Sequence, residues 1–182
     1  WDLDLFGYLQ PGTAQSAPME WFARTIASTF LLLAGFSLVL AHQGRIDWSS
    51  FRRRFAMIAG AALLITIATY FAMPRGFIFF GILHQIALGS LIGLALLRLP
   101  PLMTLAAAAA MIAAPHYLRS AVFDVPALWW VGLSSIDPPS NDYVPVLPWT
   151  GLVLAGIASA KAAATFGLLE KLRQLRPAEN RF

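Results

Sequence analysis

The sequence predicts an all-α fold, a polytopic transmembrane bundle of about five spanning helices, read as a single domain over residues 1–182. Three observations predict it. First, the chain is 58% hydrophobic and 12% charged. That is roughly half the charge of a soluble domain, too little to coat a water-facing surface. Lipid is the solvent that suits the surplus of apolar side chains. Second, those side chains gather into five runs. Third, the arginines and lysines concentrate in alternate links between the runs.

The runs cover residues 21–41, with FLLLAGFSLVLA at the centre, then 55–73, 77–97, 101–117 and 147–165. Each is close to the ~17–25 residues a helix needs to cross about 30 Å of hydrocarbon. The fourth is the least apolar because of its AAAAA run, and Pro115 is expected to kink or end it. The breaks agree with the runs. Gly44 and Asp47 punctuate the first link, and Met73-Pro74-Arg75-Gly76 reads as a tight turn. Pro100 and Pro101 suit a helix start, where a missing N–H is not needed. Residues 119–145 hold Pro126, Pro138, Pro139, Pro145 and Asp124, Asp137, Asp142. They read as a long outer loop that does not span, with Leu128-Trp129-Trp130-Val131 lying at the membrane interface.

Arg45, Arg52, Arg53 and Arg54 fall in or beside the first link, and Arg98 in the third. Lys171, Arg173, Arg176 and Arg181 follow the last run, in a basic tail over 166–182. The intervening links hold Arg75 and Arg119, with Arg24 at a helix mouth. The positive-inside rule then places the N-terminal segment outside and the C-terminus in the cytoplasm. The net charge of +4 is thereby read as topology, and no nucleic-acid partner is expected. With no cysteine, disulfides and thiolate metal sites are excluded. The start at Trp1-Asp2-Leu3-Asp4, without Met or a basic leader, reads as a fragment that continues something upstream.

Several polar residues stand inside the apolar runs. Arg24, Ser28, Gly35 and His42 share one face of the first helix at 100° per residue, so that face should meet other helices or a wet cleft. The alternative is that Arg24 and His42 reach the two interfaces as isolated amphipathic side chains. His84 lies about two turns below the outer mouth of the third run, beside Gln85. An imidazole there suits a general base or proton relay, or is a neutral side chain bonded to a neighbouring helix. Gly81, Gln85, Gly89 and Gly93 recur every four residues, which reads as a close helix contact. Asp142 and Tyr143 sit just before the last run, where Asp142 either orients a histidine or binds an amine, or merely caps a helix. His116 reads as an exposed helix-end residue. No phosphate-binding glycine loop, zinc-ligand spacing or nucleophilic serine motif is present, which argues against ATPase, zinc-enzyme and serine-hydrolase chemistry.

The blocks WFARTIASTFLLLAGFSLVL, FRRRFAMIAGAALLITIATY, GFIFFGILHQIALGSLIGL and NDYVPVLPWTGLVLAGIA resemble, in order and over nearly the whole chain, the heparan-α-glucosaminide N-acetyltransferase catalytic-domain family, in its short bacterial form. FGILH and DYxPxLPW carry most of the resemblance. It implies a multi-pass protein of the bacterial cytoplasmic (inner) membrane that transfers an acetyl or other acyl group from acyl-CoA to an extracytoplasmic, sugar-like acceptor. It also implies a further helix upstream, with the family's leading catalytic histidine, and a final helix beyond the basic tail.

Arg24, His84, Asp142 and Tyr143 match family-typical positions. The expected site is therefore His84 and Asp142 as the catalytic pair, with Arg24, Gln85 and Tyr143 on the acceptor side. Arg52, Arg53 and Arg54 meet the donor's phosphates on the cytoplasmic face. Acetyl-CoA or another acyl-CoA is the expected co-substrate, with no bound cofactor and no metal. The partners are the lipid bilayer, the acyl donor and the acceptor, while the oligomeric state is not readable. Two other readings are a small transporter or flippase, disfavoured by the lack of an internal repeat, and a non-catalytic membrane scaffold.

Overall fold

A computed structural model describes residues 16–42 and 46–167, and among these residues every regular element is helical. Five α-helices follow one another: α1 (Ala17–Ala41), α2 (Trp48–Ala72), α3 (Ile82–Ala95), α4 (Pro101–Leu118) and α5 (Val146–Thr165). Two short 3₁₀ turns, Ala121–Phe123 and Pro126–Val131, lie between α4 and α5. All but α3 are long and apolar enough to cross a membrane. The 14 residues of α3 extend only about 21 Å. The chain divides into two compact units at Phe30 and Leu31. In the first, the hydroxyls of Thr25 and Thr29 donate back to the carbonyls one turn earlier, each at 2.8 Å, so neither leaves a polar group bare on the helix surface.

The second unit, from Leu31 onward, holds the remaining architecture. Helix α2 begins at Trp48 because Asp47 caps it. The Asp47 carboxylate accepts from the amides of Ser49 and Ser50 at 3.0 and 3.2 Å and from the Ser50 hydroxyl at 2.6 Å. Arg52, Arg53 and Arg54 consequently stand on the first turns of a helix rather than in a link. Helix α3 begins at Ile82, later than the apolar run that contains it. The residues before it are taken up by the turn at Met73–Gly76 and by an extended stretch. That stretch lies beside residues 141–144, joined by Asn141 N–H to Gly76 C=O and Val144 N–H to Phe80 C=O, both 3.0 Å. Pro115 neither ends nor divides α4, which continues to Leu118. It sits in the last turn, where its missing N–H frees one carbonyl.

Helix α5 is the hub. Its Val153, Leu154, Ile157 and Ala160 are almost wholly buried, and it packs most extensively against α4 and also against α3, which in turn meets α2. Glycine permits its tightest crossing. A Cβ on Gly35 would run into the Val153 carbonyl, and one on Gly156 into the Leu32 carbonyl, so the second half of α1 touches α5 backbone to backbone. Gly89 and Gly93 of α3 face Val153 and Ile157. The opposite faces carry exposed Leu63, Leu64 and Phe71 on α2 and Leu102 and Leu105 on α4. Apolar area on that scale has lipid as its counterpart, and the molecule is an α-helical membrane protein.

Candidate functional site

Polar groups collect at two levels of the second unit. The first lies at the start of α3, on the end of the bundle that carries the 119–145 loop. Gly81 is the N-cap of α3, and its missing side chain leaves room for the Asp142 carboxylate, which a Cβ would strike. Asp142 Oδ2 accepts from the Ile82 amide at 2.9 Å. A carboxylate from a distant segment thus caps the helix, favourably placed against the helix dipole. One turn in, His84 completes the cap. Its Nδ1 accepts from the Gly81 amide at 3.3 Å, and its Nε2 lies 3.1 Å from Thr66 Oγ1. Thr66 spends its own proton on the Ile78 carbonyl at 2.7 Å, so it accepts from His84. These bonds are mutually satisfied by a neutral imidazole with its proton on Nε2. The Nδ1 lone pair is held only by a long bond, one that an incoming substrate proton can replace.

Around this pair stand aromatic rings. Phe80 stacks obliquely on His84 at 5.6 Å and approaches Trp130 at 6.4 Å, while Phe79 touches Trp129 and Tyr143, each at 5.7 Å. The Tyr143 hydroxyl donates to the Trp129 carbonyl at 2.6 Å. Burial, with the Asp137 carboxylate adding to it, pushes that phenol up to about 12, against a smaller opposing effect of Arg119. Asp124 ties the loop together by accepting from Ser134 Oγ, Ser135 N and Ser135 Oγ at 2.8, 2.7 and 2.6 Å, and the Ser135 and Ser134 hydroxyls hold its carboxyl below the usual range. Residue 85 turns inward. The Gln85 amide, fully buried, donates to Thr150 Oγ1 of α5 at 2.7 Å, and its Oε1 has no partner among the described residues. It is an acceptor held one residue from His84.

The second level is a cavity of about 150 Å³ between the end of α1, the start of α2 and the face of α3. Its lining mixes polar His42, Asp47, Ser50, Arg54 and Ser90 with apolar residues, of which Ala34, Ile58 and Ala87 lie farthest along their helices from the α1–α2 link. The Arg54 guanidinium reaches Ser37 Oγ at 3.4 Å. The His42 Nδ1–H donates to the Leu38 carbonyl at 2.9 Å, leaving Nε2 the ring nitrogen free of that bond. Ser50 holds the Asp47 carboxyl low, chiefly through its hydroxyl and then its amide. Ala87 is one turn beyond His84 on α3, about 4.5 Å along the axis, so that end of the cavity lies just beneath the His84 level.

Of the residues singled out in the sequence, His84, Gln85, Asp142 and Tyr143 come together around the start of α3. Arg52, Arg53 and Arg54 are all exposed on α2; Arg54 lines the cavity and the other two do not. Arg24 belongs to the first unit, one turn after Glu20 on α1. The candidate metal set is empty among the described residues. Two participants were not singled out beforehand. Thr66 is the partner of His84, and its only signal is a hydroxyl in an apolar run. Lys161 of α5 donates to the Leu99 carbonyl at 2.7 Å and to Thr104 Oγ1 at 2.9 Å, and a lone lysine in a spanning helix was the signal for it.

Compared with known families, the chain matches the one described as heparan-alpha-glucosaminide N-acetyltransferase, catalytic, over residues 1–181. It belongs to that family. No curated protein and no solved structure matches it. In this family member the cavity and the His84 level are two polar features stacked along α3.

Proposed function

We propose that this protein is a membrane-embedded acyltransferase that takes an acyl group from acyl-CoA on its basic, cytoplasmic face and delivers it to an extracytoplasmic, sugar-like acceptor. The observation that carries the proposal is the cavity, lined by both polar and apolar side chains and ending about one helical turn from His84, in a chain of this family. Arg54, on the cavity's lining, donates to the polar part of the donor as it enters, and the thioester end goes in first. At the opposite level, His84 Nδ1 takes the proton of the attacking amine or hydroxyl as the new bond to the acyl carbon forms and the C–S bond breaks, and that proton goes to the departing CoA thiolate. Asp142, capping the same helix mouth, offsets the positive charge that forms on the imidazole. Gln85 and Tyr143 serve the acceptor. The topology is the positive-inside one, in a bacterial inner membrane, with the loop of residues 119–145 outside.

Titration of acetyl-CoA into the purified intact protein tests the donor half. Saturable binding is expected, and Arg54→Gln should weaken it about tenfold, the equivalent of one charge-assisted hydrogen bond. Arg52→Gln should change it less than about twofold, as for an exposed charge. Absence of saturable binding, or equal effects of the two substitutions, contradicts the donor assignment.

A further inference from the structure

We infer that Ala34, Ile58 and Ala87 form the end wall of an acyl-group pocket that limits the donor's acyl chain to about four carbons. The inference rests on the acyltransfer reading above and adds to it the part of the donor that is selected and the residues that select it.

The reasoning is one of size and polarity along depth. By position along the helices, the lining passes from His42 and Ser50, through Arg54 and Ser90, to Ala34, Ile58 and Ala87. The order follows from the helices themselves, since α1 descends from residue 42 to 34, α2 from 50 to 58 and α3 from its far end to 87. An occupant must therefore be polar or anionic at one end and apolar at the other, with the apolar end innermost. That is the polarity of a thioester whose phosphates remain outside. The volume, about 150 Å³, is that of an interior void which admits a molecule the size of benzene, about six heavy atoms. A butanoyl group with its sulfur has six heavy atoms, and a hexanoyl group with its sulfur has eight.

Two of the three wall residues, Ala34 and Ala87, are alanines. Ala87 is 6% exposed, so the space in front of it lies inside the bundle. Leucine there adds three carbons to the wall and removes about half the room. Ile58 closes the same end from α2, and alanine there returns three carbons' worth of length.

The test is competition of acyl-CoAs of increasing chain length for labelled acetyl-CoA on the purified intact protein, with free CoA as the control. For the unaltered protein, butanoyl-CoA should compete at least as well as acetyl-CoA, up to about tenfold better, because two further methylenes are buried. Hexanoyl-CoA should be about tenfold weaker or worse, because its last carbons must displace packed wall side chains. Ala87→Leu should weaken butanoyl-CoA about tenfold while changing acetyl-CoA less than about threefold. Ile58→Ala should bring hexanoyl-CoA to within about threefold of acetyl-CoA, a gain that damage to the fold does not produce. If Ala87→Leu does not yield folded protein, Ala34→Val reads the same wall from α1. Unchanged chain-length profiles in Ile58→Ala and in the folded wall-filling variant, with acetyl-CoA still bound, overturn the pocket and leave the acyltransferase reading intact. Failure of every acyl-CoA to bind the unaltered protein overturns both.

Discussion

Replacing Asp142 separates the cap that its carboxylate forms on α3 from the counter-charge to His84 proposed for it. Its Oδ2 accepts the Ile82 amide at 2.9 Å at a half-buried helix mouth. A hydrogen bond to an ionised acceptor contributes about 1.5–3 kcal/mol, and the helix dipole adds about 0.3–1 kcal/mol. Asp142→Ala removes both, and some 2–3 kcal/mol lowers the midpoint of thermal unfolding by roughly 5–10 °C for a chain of this size. Asp142→Asn keeps an oxygen for the Ile82 amide and loses only the charge, so most of that stability should remain. Its transfer activity should nevertheless fall about a hundredfold, within the range general acid–base catalysis supplies, because the charge that offsets protonated His84 is gone. The assay is thermal unfolding in detergent beside acyl transfer from labelled acetyl-CoA. A stable Asn variant with full activity would refute the electrostatic role and leave Asp142 as a cap alone. A variant as unstable as Ala would refute the cap geometry.

Four further outcomes follow from particular contacts. Tyr143 has a folded pKa of about 12 against an ordinary 10, so its contribution to stability is complete below pH 10 and is lost as pH rises toward 12. Tyr143→Phe should abolish that alkaline step in a pH series of unfolding midpoints. Lys161→Met removes donors from the Leu99 carbonyl and from buried Thr104 and should lower stability by about 1–3 kcal/mol, measured by thermal unfolding. Gly156→Val forces a side chain against the Leu32 carbonyl and should cost about 3 kcal/mol or prevent folding. Gly60→Ala, with open space around it, should stabilise by up to about 1 kcal/mol, so the pair of glycine variants checks the α1–α5 crossing against a lipid-facing position on α2.

The bundle was legible in the sequence because lipid imposes a length and a composition on each crossing, and α1, α2, α4 and α5 carry both. What lay beyond reading was settled by contacts without a period. The late start of α3 depends on two backbone hydrogen bonds between residues 76–80 and 141–144, which join segments far apart in the chain. The early start of α2 was written in Asp47-Trp48-Ser49-Ser50, a capping signal overshadowed by the apolar run that follows. At the site, His84 stood out as an ionisable group in an apolar helix and Asp142 as a carboxylate before one. Their meeting at Gly81 follows from the small residue between them. Thr66 was silent, since a threonine in a spanning helix usually bonds its own backbone. The Arg52, Arg53 and Arg54 cluster was visible as charge. That only Arg54 lines the cavity is a consequence of helical phase, which became readable once α2 was known to begin at Trp48.

Sidedness tests the central claim most directly. With the intact protein oriented in sealed vesicles, labelled acetyl-CoA would be supplied only to the face bearing Arg54 and His42, and an amino-sugar acceptor only to the face bearing the 119–145 loop. The account predicts labelled acceptor on the loop face, abolished by His84→Ala without loss of donor binding. Label that appears only when donor and acceptor share one face, or transfer that survives in a folded His84→Ala protein, would contradict it.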